Sequence, residues 1–166
     1  MHNFKKVTMT KDHEFFMRRA IEMAAKGMNS NAGGPFGAVV VKDGEIIAEG
    51  HNKVTSTNDP TAHAEMVVIR DACNKLNTFQ LTDCIIYTSC EPCPMCFGAI
   101  YWARPKAVYY GCDKADAKAI DFDDQFIYDE LEVEMQDRQI HFKQMLQSEA
   151  VEVFNNWASK HDKTKY

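Results

Sequence analysis

The sequence predicts an α/β sandwich built on a mixed sheet. Three observations carry that expectation. Helical and strand-like segments alternate in the order helix, hairpin, helix, strand, helix, strand. Two short β-rich runs are joined by Lys42-Asp43-Gly44-Glu45, and Asp-Gly between such runs is a strong hairpin signal. The 166 residues are 45% hydrophobic and 26% charged, enough for one core without disulfide staples and unlike a disordered or fibrous chain.

Each element follows from its residues. Phe16, Ala20, Met23, Ala24 and Gly27 stand at helical spacing and predict an amphipathic helix over about 12–28. Gly33-Gly34-Pro35-Phe36-Gly37 reads as a loop that a ligand can approach closely. The hairpin strands are expected over 39–41 and 46–48. Asp59-Pro60 offers an N-cap and a proline at the first helical position, predicting a helix to about Leu76. Residues 84–88 form a compact apolar strand, and Glu91-Pro92 opens a helix to about Trp102, stopped by Arg104-Pro105. A further strand is expected over 107–110. Beyond it the pattern is thinner: helical turns over 122–131, a hint of strand at Ile140, Phe142 and Gln144, and a last helix marked by Ala150, Val153, Phe154 and Trp157. No repeat or Pro/Gly/Ser linker divides the chain, so residues 1–166 are expected to form a single domain.

Charge and composition narrow the partners. Nineteen Lys+Arg against twenty-four Asp+Glu leave a net charge of −5, which disfavours a phosphate backbone as the main partner. No apolar run reaches the roughly 18 residues of a membrane span. The opening Met1-His2-Asn3-Phe4-Lys5-Lys6 lacks the apolar centre of a signal peptide, so a cytoplasmic location with reduced thiols is expected. The six cysteines then read as packing residues, metal ligands or nucleophiles.

Two predicted helix starts carry the chemistry, Pro60-Thr61-Ala62-His63-Ala64-Glu65 and Glu91-Pro92-Cys93-Pro94-Met95-Cys96. Cys93 and Cys96 are one helical turn apart, so both sulfurs point the same way. Their place at a helix N-terminus favours thiolate. With His63 they make a borderline-soft set suited to one Zn²⁺, and three protein ligands leave a fourth tetrahedral position for water. Such a water has a pKa near 7, and Glu65 is the candidate to move its proton to a substrate nitrogen. Glu65 lies about 200° from His63 on an ideal helix, so His63 must stand in an irregular first turn if both face the metal. A rival arrangement adds Cys90 to give a closed Cys₃His structural site. A plain zinc-binding interaction module would follow from it, but such a site has no use for an acid beside its histidine.

His63-Ala64-Glu65 and Pro92-Cys93-Pro94-Met95-Cys96 match the H-x-E…P-C-x-x-C signature of zinc deaminases. Through them the chain resembles the cytidine deaminase-like superfamily, and within it the bacterial guanine deaminases. The likeness extends over about 15–128. It includes Gly33-Gly34-Pro35-Phe36-Gly37-Ala38, Asn58-Asp59-Pro60, Thr88-Ser89-Cys90, Gly98-Ala99-Ile100-Tyr101-Trp102-Ala103-Arg104-Pro105 and Phe122-Asp123-Asp124. The resemblance implies a three-layer α/β/α sandwich around a five-stranded mixed sheet, one catalytic zinc, and conversion of guanine to xanthine and ammonia by zinc-bound hydroxide with Glu65 as proton shuttle. It gives Asp124 a second proton-handling role, although the neighbouring Asp121, Asp123 and Asp129 fit a solvated acidic surface equally well.

Asn52 offers an amide to a purine edge or serves as a turn residue. Phe36 and Trp102 could stack on a base or belong to the core. Ala64, between His63 and Glu65, joins these candidate substrate contacts. The resemblance also implies a homodimer whose C-terminal segment, about 145–166, is swapped onto a partner so that Tyr166 closes the other site. Guanosine, cytosine and ammeline remain as rival small substrates. A tRNA adenosine substrate would need a basic face for phosphates, which the charge disfavours.

Overall fold

Asp12 starts the first helix by accepting a hydrogen bond from the Phe15 amide at 2.9 Å, an N-cap that satisfies one orphan donor of α1, His13–Asn29. Phe16, Ala20, Met23, Ala24 and Gly27 are its buried stripe, the residues whose spacing predicts the helix. This computed structural model describes residues 12–166; the opening residues 1–6, read above for a leader, lie outside them.

The hairpin pairs β1, Gly37–Lys42, with β2, Glu45–His51, in antiparallel register. Asp43 and Gly44 both have positive φ, 50° and 78°, the backbone that a two-residue turn matched to strand twist requires. A register shift between Val40 and Val41 bulges the pair. A short α2, Val54–Thr57, precedes α3, Ala64–Leu76; β3, Cys84–Cys90, leads into α4, Pro94–Ala103, and back to β4, Ala107–Cys112. Then come α5, Lys114–Lys118, α6, Gln125–Glu132, a 3₁₀ turn at Met135–Asp137, and α7, Gln147–Ser159.

The sheet runs β2-β1-β3-β4 and is mixed: β1 is antiparallel to both neighbours, while β3 and β4 are parallel and joined through α4. Alternation along the strands sorts the core. Ala38, Val40, Cys84 and Ile86 face Ala64, Val68, Ala72, Ile100 and Ala103 of α3 and α4. Val39, Val41 and Tyr87 face Phe16 and Ala20 of α1. Helices therefore cover both faces. Gly37 permits the closest of these approaches, since a Cβ there would stand 2.3 Å from the Ala20 carbonyl oxygen.

Four expectations need correction. The sheet has four strands among the described residues, not five. The stretch at Ile140, Phe142 and Gln144 forms no strand, because two alternating apolar residues supply a pattern but no ladder partner. Asp59-Pro60 does not open α3, which begins at Ala64. Asp59 instead closes a turn, its Oδ1 accepting from the Thr61 amide at 2.8 Å and the Thr61 hydroxyl at 2.7 Å. Likewise Glu91-Pro92 precedes α4, whose N-cap is Cys93 and whose first helical residue is Pro94.

The chain resolves into two compact units, the second spanning Asp124–Tyr166. Within that unit, Glu130 Oε2 accepts from the Gln139 amide at 3.1 Å, and the Arg138 guanidinium lies 5.7 Å from the centre of the Phe142 ring. Neither α6 nor α7 has a buried residue, and Phe126, Leu131, Phe154 and Trp157 are all exposed.

Candidate metal centre and active site

His63 and Cys93 occupy equivalent positions. Each is an N-cap in extended conformation (φ −65°, ψ 156° and φ −64°, ψ 168°), and neither side chain caps its own helix. Their carbonyls open the two ladders, accepting from Val67 N at 3.0 Å and Phe97 N at 2.8 Å. Their side chains are thereby released from the usual capping task. Cys96, one turn into α4, is completely buried. The non-helical place of His63 removes the angular conflict with Glu65, which lies in the first turn of α3.

The distances fit zinc. A tetrahedral ion about 2.3 Å from sulfur and 2.0–2.1 Å from nitrogen sets each S···N edge at about 3.6 Å. Nδ1 of His63 lies 3.5 Å from Cys93 Sγ and 3.6 Å from Cys96 Sγ. His63, Cys93 and Cys96 are the metal-capable cluster among the described residues. Cys90 is not part of it: its thiol turns to the Asp113 carbonyl at 3.7 Å, which disposes of the closed Cys₃His arrangement. Burial, together with the neighbouring Cys112, pushes the Cys90 thiol up to about 12. The Cys93 thiol is pulled down to about 4, first by its hydrogen bond with Cys96 and then by His63; Cys96 is raised in turn, because the two sulfurs share a proton. An ion would displace that proton and take both as thiolates.

Glu65 is 6% exposed, and burial raises its carboxyl above the ordinary value. Thr88 on β3 donates to Oε1 at 2.9 Å, and the Cys96 thiol lies 3.5 Å from Oε2. The carboxylate is thus pinned beside the sulfur pair with one oxygen engaged by the sheet. The function of Thr88 was not read from the sequence. Its one signal was a hydroxyl inside an apolar strand next to the cysteine motif.

Asn52, also buried, follows β2. Its amide N–H donates to the Phe36 carbonyl at 2.9 Å, and the next residue, Lys53, donates to the carbonyl of Ala62, the neighbour of His63, at 2.9 Å. Phe36 packs on the core and meets Phe122 edge to face at 4.9 Å. Ala64 is fully buried in the core between His63 and Glu65. Trp102 is 63% exposed on α4, away from the buried stripe of Cys96, Ile100 and Ala103. Asp124 is the N-cap of α6, and Tyr166 ends the exposed tail; both belong to the C-terminal unit.

The chain is similar to known proteins. Residues 10–112 match the family described as the cytidine and deoxycytidylate deaminase zinc-binding region. A Bacillus subtilis protein named guanine deaminase is 55% identical over 155 residues, covering 93% of this chain and 99% of that protein. The X-ray structure of guanine deaminase from Bacillus subtilis superposes with a TM-score of 0.91 at 54% identity, over 94% of this chain and 99% of that one. A tRNA-specific adenosine deaminase of Aquifex aeolicus is 42% identical, but over only 61% of this chain and 67% of its own. By its matched region, its two-thiolate and one-imidazole cluster and the acid beside it, the chain belongs to the cytidine and deoxycytidylate deaminase zinc-binding family.

Proposed function

We propose that the chain is a zinc-dependent aminohydrolase that converts guanine to xanthine and ammonia. The observation that carries the reaction type is the pair of S···N distances, 3.5 and 3.6 Å, with the Glu65 carboxylate pinned next to it by Thr88. The choice of guanine rests on likeness to a guanine deaminase over nearly both full lengths, against partial overlap with a tRNA deaminase. The net charge of −5 agrees with a small neutral substrate better than with a polyanion.

His63, Cys93 and Cys96 would hold the metal. Zinc held there would supply Lewis acidity and make water a competent nucleophile near neutral pH. Glu65 would take a first proton from the attacking water at Oε2, the oxygen Thr88 leaves available, and give it to the ring nitrogen. A second proton, from the hydroxyl that the attack leaves on the ring carbon, would pass by the same oxygen to the amino group, which departs as ammonia. Burial raises the affinity of Glu65 for protons above that of an ordinary carboxyl, which suits a group that must take protons up as well as give them away. Asn52 orients the base, Phe36 and Ala64 line its apolar side, and Trp102 contributes from α4. Asp124 handles a second proton. The working unit is a homodimer with the C-terminal segment swapped, so that Tyr166 closes the partner's site. The location is cytoplasmic, in keeping with six free cysteines and with the absence, among the described residues, of a helix able to span a membrane.

The test is ammonia release from zinc-loaded protein given guanine, guanosine, adenine and cytosine separately. Turnover of guanine alone is expected, and Glu65→Gln is expected to lower it by about 10²–10⁴ while zinc content is unchanged. Turnover of another base in place of guanine would overturn the substrate, and a fully active Glu65→Gln would overturn the proton shuttle.

A further inference from the structure

Gly33 stands against the amide of Asn52. A Cβ at position 33 would lie 2.1 Å from Asn52 Oδ1 and 2.9 Å from its carbonyl oxygen, both far inside contact distance. The backbone does not require glycine here, because Gly44 is the described glycine with positive φ. The need for hydrogen at position 33 is therefore steric, and the group that imposes it is Asn52.

The other side of the same oxygen is also occupied. Oδ1 accepts from the Val54 amide at 3.1 Å, and since that partner is a donor it fixes which end of the side chain is oxygen. The main chain of Asn52 is held as well, by the Phe36 carbonyl at 2.9 Å and by His51 Nδ1 against its own carbonyl at 3.0 Å. Asn52 is 5% exposed, yet no fully buried side-chain polar atom among the described residues lacks a partner. The Nδ2 group makes no hydrogen bond to the described residues, so it is the end that reaches accessible space.

We propose that Gly33 is a positioning residue for substrate: it clamps Oδ1 against the Val54 amide and so presents Asn52 to the base as a donor only. Resting on the reading of Asn52 as the base contact, this makes the site demand an acceptor on the ligand, a ring nitrogen or a carbonyl oxygen. A side chain at position 33 pushes Oδ1 off Val54 and frees the amide to turn. Recognition then weakens while the metal cluster, on other elements, keeps its ligands.

The experiment is a double-mutant cycle on the zinc-loaded protein with guanine as substrate. Gly33→Ala is expected to raise KM by about tenfold or more and to change kcat by less than about threefold. Asn52→Ala removes Oδ1, the nearest atom that Gly33 makes room for, and leaves only the closer fit to the carbonyl of residue 52. Adding Gly33→Ala to it should therefore lower kcat/KM by clearly less than the roughly tenfold expected in the wild-type background. Zinc content should stay at the wild-type level throughout. Two outcomes overturn the proposal: a Gly33→Ala enzyme indistinguishable from wild type, or losses that multiply in the double variant. An unchanged KM in Asn52→Ala also overturns it, through the base contact on which it rests. Wild-type protein inert toward guanine would be a failure of the activity itself. Hydrogen exchange at the Val54 amide then decides the clamp separately: faster exchange in Gly33→Ala supports it, and equal exchange overturns it.

Discussion

Cys90, Cys93 and Cys96 lie within seven residues, yet their surroundings give them different proton affinities. Burial holds Cys90 protonated, up at about 12, while its bond with Cys96 and the nearby His63 hold Cys93 down at about 4. Cys90→Ala should therefore keep the full zinc content, at a stability cost of about 1 kcal/mol, whereas Cys93→Ala should lose the metal. Metal analysis after gel filtration separates the two. Spacing alone could not sort these thiols. A pair three apart on a helix shares a face, but Cys90 ends a strand, and its Sγ direction depends on the sheet into which it folds. The His63, Glu65, Cys93 and Cys96 cluster was legible for the opposite reason, since each half of the motif is local and only their meeting needs the fold. The Asn52 clamp was not legible, because it depends on a glycine 19 positions away in sequence.

At the scale of elements, α1 and β2 are joined by Arg19 and Glu49, with Nε to Oε2 at 2.8 Å and a second nitrogen to Oε1 at 2.6 Å. The guanidinium holds the Glu49 carboxyl below its ordinary value of 4.5. A carboxyl depressed in the folded state stabilises above its unfolded pKa, and that stabilisation fades as pH falls from about 4.5 through the lower folded value. Both side chains are about one third exposed, so Glu49→Gln should cost only about 0.5 kcal/mol at pH 7. The cost should vanish in acid, as followed by urea unfolding at several pH values. Long elements with clear periodicity, α1, the hairpin and β3, were visible in the sequence. The starts of α3 and α4 were misplaced because Asp59-Pro60 and Glu91-Pro92 carry helix-start chemistry but serve turns that deliver His63 and Cys93. The short α2 and α5 have too few residues to display a period.

For the whole molecule, the apolar surface on view is large. Phe97, Tyr101 and Trp102 on α4, Tyr109 and Tyr110 on β4, and Val153 and Phe154 on α7 are all exposed. Light scattering should give a mass about twice 18.9 kDa if the dimer forms as proposed. A chain ending at Leu146 should lose more than about tenfold in kcat/KM. Mixed with Glu65→Gln chains, it should recover activity through Tyr166 of the intact tail. A monomeric, fully active truncation would remove the swap. This level was the least legible in the sequence, since which apolar side chains stay exposed is decided by the whole fold and not by local spacing.

The placement of His63 and Cys93 at two helix starts has a mechanical consequence. They are 30 positions apart with all of β3 between them, so an ion shared by both acts as a reversible cross-link. Closing a loop of that length removes about 3–4 kcal/mol of conformational freedom from the unfolded chain. A strong chelator would then behave as a denaturant, cutting a tie between two helices and shifting the balance toward the unfolded chain as it captures the metal.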